Sequence, residues 1–149
     1  MRAKTIDGGA DRTWALVFAT GDDVLPALLR FATLQQLTAA HFTAIGAFSD
    51  ATLGYFDWAS KTYEKIPVRE QVEVLSLLGD VALEHDAPKI HAHAVLGKRD
   101  GSAHGGHLLA AHVRPTLEVM LVESPAHLRR RFDPESGLAL IDIDRAASP

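Results

Sequence analysis

The stretch KIHAHAVLGKRDGSAHGGHLLAAHV, residues 89–113, decides the architecture. Its first part, KIHAHAVLG (89–97), is extended and apolar on both faces, and after a turn at Lys98-Arg99-Asp100-Gly101 the segment SAHGGHLLAAHV runs on as a second strand. The two form an antiparallel hairpin. A three-residue loop, Arg99-Asp100-Gly101, with its glycine in the left-handed position pairs Lys98 with Ser102. In that register His93 faces His107, while His104 and His112 fall on the opposite face. A bulge at Gly105-Gly106 would shift everything after it by one residue and reverse this assignment.

The segments on either side are read in the same way. PTLEVMLVE (115–123) adds one more strand. EQVEVLSLLGDVAL (70–83) alternates at Val72, Val74 and Leu75, which predicts a strand to about Leu78, a break at Gly79 and a second extended piece; a helix over these residues is the competing reading. HFTAIGAFS, ATLGYFD and KTYEKIPV follow a period of two and are separated by Ser49-Asp50 and Asp57, as antiparallel neighbours would be. TWALVFATG (13–21) reads as a buried strand. Behind it Asp22 or Asp23 can cap a helix with Pro26 in its first turn, and Leu25, Leu28, Leu29 and Ala32 share one face of that helix through to about Ala39. A short helix around Ala126 to Arg131 and a last strand, GLALIDID (137–144), complete the chain. The expected fold is a single α+β domain over residues 13–145, mostly antiparallel sheet with one principal helix packed on it, behind an N-terminal tail of residues 1–12.

Composition narrows the function. The 149 residues, 47% hydrophobic and 23% charged, suit one globular domain. There is no cysteine, so disulfides, thiolate zinc sites and cysteine nucleophiles are excluded and any metal must be held by His, Asp or Glu. No apolar run is long enough for a signal peptide core or a membrane span, which makes the cytoplasm the expected location. The net charge of −4 disfavours nucleic-acid binding, which depends on Lys and Arg neutralising phosphates. The basic run Arg129-Arg130-Arg131 is read as a solvated face or favourable charge at a helix end. Tyr55 and Tyr63 are read as strand packing residues.

His91 and His93, two apart on a strand, project from the same face roughly 6.6 Å apart along it. Two imidazoles so placed converge on one ion, and the turn register makes His107 the third ligand. Three imidazoles without a thiolate match the catalytic type of zinc set, with a fourth position for water or substrate. Zinc is the first expectation, although nickel, iron or copper would also accept such ligands. Carboxylates that could orient the rings are Glu73, Asp80, Asp100 and Glu118. Glu73 and Glu118 are also the candidates for a general base. Neither a phosphate loop nor a dinucleotide fingerprint is present.

Four stretches, FTAIGAFSDATLGYFD, EQVEVLSLLGDVAL, PKIHAHAVLGKRDGSAHGGHLL and PTLEVMLVE, together resemble the PPC domain, the plants and prokaryotes conserved domain that in plants is joined to AT-hooks. The resemblance runs from about Trp14 to Asp142. It implies an α+β fold that assembles into a homotrimer. It also implies, for the prokaryotic branch, a metal site made by an HxH pair and the His of GGH, here His91, His93 and His107. The family is commonly labelled DNA-binding, yet this sequence contains no Arg-Gly-Arg hook. The expected function is a trimeric metal-binding module, DNA-associated or regulatory. The alternative is a metal-dependent enzyme of hydrolase or lyase type.

Overall fold

Alternation of apolar and polar residues produces long strands, and in this chain they are longer than the sequence suggests. The computed structural model describes residues 1–7, 12–124 and 127–145. In chain order they form β1 (Arg2–Asp7), β2 (Thr13–Ala19), α1 (Val24–Leu34), β3 (Ala39–Asp57), β4 (Thr62–Val68), β5 (Val72–Glu84), β6 (Ala87–Gly97), β7 (Ala103–Glu123), β8 (Arg130–Asp133), β9 (Leu138–Ile141) and a short 3-10 turn (Ile143–Arg145). This is the mostly antiparallel α+β architecture with one principal helix.

The strands β3 and β7 are paired along almost their whole length, from Ala40↔Glu123 to Gly54↔His107. The other edge of β3 takes β5 and then β4, and the other edge of β7 takes β2 and β6. Because β5 also pairs with β6, the ladder β3–β5–β6–β7 closes on itself. Closure gives these four strands partners on both sides and leaves β1 and β4 as the edge strands. Inside lie Phe42, Phe48, Leu53, Leu77, Leu96, Leu108, Leu117 and Leu121, all fully buried.

The helix α1 buries Val24, Ala27, Leu28, Phe31 and Ala32, and Trp14 of β2 meets Phe31 edge-on with centroids 5.6 Å apart. Leu29, expected on the buried face, is 41% exposed. Asp23 occupies the cap position without a side-chain cap bond, while the Asp22 carboxylate accepts from the Ala19 N–H at 2.9 Å. The helix stops at Leu34 rather than Ala39. Gln36 turns into the left-handed region at φ 54, and the Leu37 and Gln36 N–H groups donate to the Ala32 and Thr33 carbonyls. This is a Schellman ending built without glycine, so no residue type announced it.

Four further expectations are corrected. Residues 2–7 are a strand, not a tail: β1 lies on the otherwise open edge of β2, a pairing made by backbone groups that needs no apolar pattern. The helix expected near Ala126 to Arg131 is absent over its described part, where β8 begins at Arg130; Ala126 lies outside the described residues. The last strand ends at Ile141 and, among the described residues, pairs only with β8, as a separate hairpin. The segments on either side of Ser49-Asp50, and those on either side of Pro115, are continuous strands because each pairs without a break in direction.

Gly79 shows why β5 does not break. It sits opposite Ala92 within an unbroken ladder, and a Cβ there would lie 2.2 Å from Phe42 Cζ and 2.6 Å from the His91 carbonyl oxygen. The glycine admits a ring, not a bend. Gly79→Ala is therefore expected to destabilise the fold by about 2 kcal/mol or more, a fall in Tm of roughly 5 °C. Gly105→Ala, whose nearest neighbour would be Ala94 O at 3.4 Å, is expected to leave Tm nearly unchanged. Thermal melts followed by circular dichroism check both.

Candidate metal centre

The inward side chains of β6 are Ile90, Ala92, Ala94 and Leu96, so His91 and His93 necessarily point to the other side of the sheet. The turn into β7 forms as expected: Lys98 N–H donates to the Ser102 carbonyl at 2.8 Å, and Gly101 is left-handed at φ 82. From there the ladder runs unbroken from Gly97↔Ala103 to His93↔His107. Gly105-Gly106 carries no bulge. The slip falls beyond the site, at Leu109, because Leu53 pairs with Leu108 and Thr52 with Ala110.

That slip corrects one expectation. Leu108, Ala111 and Val113 are all buried, so His112 turns away from the core as His107 does. His112 nonetheless stays outside the cluster, with Nδ1 held at 2.8 Å by Asp50 Oδ1. His104 pairs with Leu96 and is exposed.

His91, His93 and His107 each present a ring nitrogen, and the three nitrogens lie within 4.8 Å of one another. His91 Nε2 and His93 Nε2 are 3.2 Å apart, and the ring centroids are 5.1–5.2 Å apart. Tyr63 of β4 stacks at an angle on His107, with centroids 4.6 Å apart and its hydroxyl 3.5 Å from His107 Nδ1. Gly54, paired with His107, leaves the room for that ring: a Cβ would come 2.9 Å from Tyr63 Cδ1.

Of the four carboxylates considered, Asp80 supports the site. The two-residue turn His85-Asp86, with both residues left-handed, joins β5 to β6 and sets Asp80 opposite His91. Asp80 Oδ2 lies 3.5 Å from His91 Nδ1, and Oδ1 accepts from Arg130 Nη2. Asp100 instead closes its own turn, accepting from the Ser102 N–H and hydroxyl. Glu73 and Glu118 line a groove with Ile45, Gly46, Leu75 and Thr116, a groove that none of the three histidines lines.

The basic run is a solvated face only at Arg129 and Arg131, whose side chains stay 44% and 68% exposed. Alternate pairing sends Arg129 to Asp86, Arg131 to Asp142 and Arg130 to Asp80, with the Arg130 side chain only 7% exposed. Arg130 thereby ties the β8–β9 hairpin to the carboxylate behind His91. It was missed because a run of like charges shows nothing of what faces it. The signal that could have singled out Asp80 among the four carboxylates was the turn His85-Asp86, whose length fixes the β5–β6 register.

Burial, helped by the charges of His91, His93 and Lys89, pushes His107 down to about 4. His93 is lowered by burial and by His91. Burial pulls the Asp80 carboxyl upward, but its hydrogen bond with His91 and the charge of Arg130 outweigh this and hold it below the usual range. Both lowered histidines therefore keep free lone pairs at neutral pH, and a carboxylate behind a third imidazole is the arrangement that orients metal-binding histidines. The donor set fits a divalent ion.

A pH dependence follows. Between about 6.5 and about 4 the unfolded chain binds a proton at His107 that the folded chain does not. The stability is fully present above this window and is lost as pH falls through it. The Tm of metal-free protein is expected to decline across the window, and His107→Asn to flatten that part of the profile. A slope unchanged by the substitution would assign the effect elsewhere.

The sequence model of the Plants and Prokaryotes Conserved (PCC) domain matches residues 6–125. A solved plant- and prokaryote-conserved protein from Pyrococcus horikoshii is 31% identical, with 88% of this chain and 91% of that one covered and a TM-score of 0.83. A metal-containing protein from Archaeoglobus fulgidus is 34% identical, with coverage of 95% and 98% and a TM-score of 0.79. A protein from Bacteroides thetaiotaomicron with a provisional DNA-binding name is 25% identical, with coverage of 96% and 99% and a TM-score of 0.86. No curated protein matches the chain. The matched residues contain the three converging histidines and all but the first few positions of the sheet that carries them, and the chain belongs to the Plants and Prokaryotes Conserved domain family.

Proposed function

We propose that the protein is a trimeric, metal-binding regulatory module that holds one zinc ion per chain on His91, His93 and His107. One observation carries this reading: three imidazole nitrogens from two adjacent strands lie within 4.8 Å of one another. The likeness to a metal-containing archaeal protein supports it. Zinc suits three imidazole ligands in a chain without cysteine. Asp80 orients His91, and Arg130 holds Asp80.

Self-association is supported by a stripe of apolar side chains that a lone chain leaves in water. Ile45 is 63% exposed, Leu75 56%, Leu78 55% and Met120 45%, and together they border one shallow groove. Apolar surface gathered in this way marks a contact face. Three copies around this face make the trimer. Relatives carry DNA-binding names, but a net charge of −4 favours a regulatory role in the cytoplasm in which DNA is not gripped by this domain. Among the described residues no helix is long and apolar enough to cross a membrane.

A second reading, a metal-dependent hydrolase or lyase, is favoured by one feature. A cavity of about 300 Å³ opens beside His91 and His107 under the β8–β9 hairpin. A zinc ion on these residues supplies Lewis acidity toward a carbonyl or a water. Glu73 or Glu118 would be the general base, although both line the other groove.

Metal analysis after zinc loading and dialysis is expected to find one ion per chain. Alanine at His91, His93 or His107 should each weaken binding by about 100-fold or more, and Asp80→Asn by about 10–100-fold. Full occupancy in the His93→Ala protein would sink the assignment. Light scattering should give three times the 16.1 kDa chain mass, and Leu75→Glu should release monomers. A trimer that survives this substitution would move the interface elsewhere.

A further inference from the structure

We propose that Tyr63 is a positioning residue of the metal centre: its hydroxyl oxygen accepts from the Nδ1–H of His107 and so leaves Nε2 as the nitrogen that binds the ion. Tyr63 is confined on several sides. Pairing of Phe56 with Tyr63 across β3 and β4 sets their rings edge to face, with centroids 5.2 Å apart. Gly54 leaves the space beside the ring free, since a Cβ there would lie 2.9 Å from Tyr63 Cδ1. Toward the site the ring lies on His107, with centroids 4.6 Å apart and 32° between the planes. A ring held in this way fixes its hydroxyl, which stands 3.5 Å from His107 Nδ1. Among the described residues neither side chain has another hydrogen-bond partner.

A neutral imidazole carries one N–H and one lone pair, and only the lone pair binds a metal. If the hydroxyl donated to Nδ1, the proton would sit on Nε2 and block it. Coordination by Nε2 therefore needs the accepting arrangement. A half-turn of the His107 ring would set a carbon against the hydroxyl and exchange Nε2 for Cε1, so the hydroxyl selects the ring orientation as well as the tautomer. The same pattern holds next door. His91 and His93 face each other through Nε2 at 3.2 Å, and Asp80 stands 3.5 Å from His91 Nδ1. Tyr63 on β4 thus does for His107 what Asp80 on β5 does for His91, and metal-bound imidazoles keep their second N–H on such a partner. A neutral phenol oxygen is a weaker acceptor than a carboxylate, which makes its effect the smaller of the two. This assignment rests on the proposed metal reading for the ion, whereas the tautomer of His107 is a property of the metal-free chain.

Tyr63→Phe keeps both ring contacts and removes only the oxygen. In two-bond proton–nitrogen correlation spectra of metal-free protein at neutral pH, His107 is expected to be protonated at Nδ1, and Tyr63→Phe to raise the share protonated at Nε2. Zinc affinity, measured by competition with a chelating dye, should fall about tenfold in the same variant. Tyr55→Phe is the control: Tyr55 is 63% exposed, pairs with Glu64 and points to the opposite face, so it should change neither quantity. Protonation of His107 at Nε2 in the unsubstituted metal-free protein overturns the proposal, as does a Tyr63→Phe protein in which the tautomer, the affinity or both are unchanged. A lower affinity with the tautomer intact would mark a packing role alone. Failure of the unsubstituted protein to take up zinc overturns the metal reading, and the spectra of the metal-free chain still decide the tautomer.

Discussion

The β6–β7 register is the constraint on which the rest depends. Side chains on a strand alternate, so a slip of one residue would send His107 into the core and bring Leu108 out beside His93. The register is held at one end by the Lys98–Ser102 bond over a left-handed Gly101 and carried without a bulge to His93↔His107. Gly106 contributes by allowing β3 to come close, since a Cβ there would lie 2.9 Å from the Gly54 carbonyl oxygen. Irregularity in β7 is deferred to Leu109, where it changes which way His112 points and leaves the three histidines together.

Around this hairpin the closed ladder converts sequence-distant strands into one rigid support. Tyr63 comes from β4, Asp80 from β5, the HxH pair from β6, His107 from β7 and Arg130 from β8. A site drawn from so many elements keeps its geometry only if they cannot slide, and pairing of β3 with β5, β4 and β7 prevents sliding. The same closeness makes the glycines specific: at Gly79 a ring, and at Gly106 a carbonyl, fills the space of the missing side chain.

The ion pair of Arg130 with Asp80 does more for position than for stability. Removing two charges from water costs free energy that their attraction only roughly offsets, so such a pair is weak evidence of a stabilising role. What it does is hold the β8–β9 hairpin over the histidines and fix the carboxylate that faces His91 Nδ1. Arg130 and the aliphatic residues Ile90, Leu138 and Leu140 line one cavity with His91 and His107.

The sequence by itself determined the fold class, the HxH pair and the choice of His107, because strand alternation and a glycine turn are local rules. It also showed which carboxylates to consider. The end of α1 at Gln36, the strand at residues 2–7 and the continuity of β3, β5 and β7 came only with the tertiary structure. Each depends on which backbone groups find partners across the sheet, and no residue type records that. The choice of Asp80 over Glu73, Asp100 and Glu118, and the conversion of a basic run into three separate ion pairs, were likewise decided by packing. A charge's role is set by what lies opposite it, and for Arg130 that is a carboxylate 50 residues away in the chain.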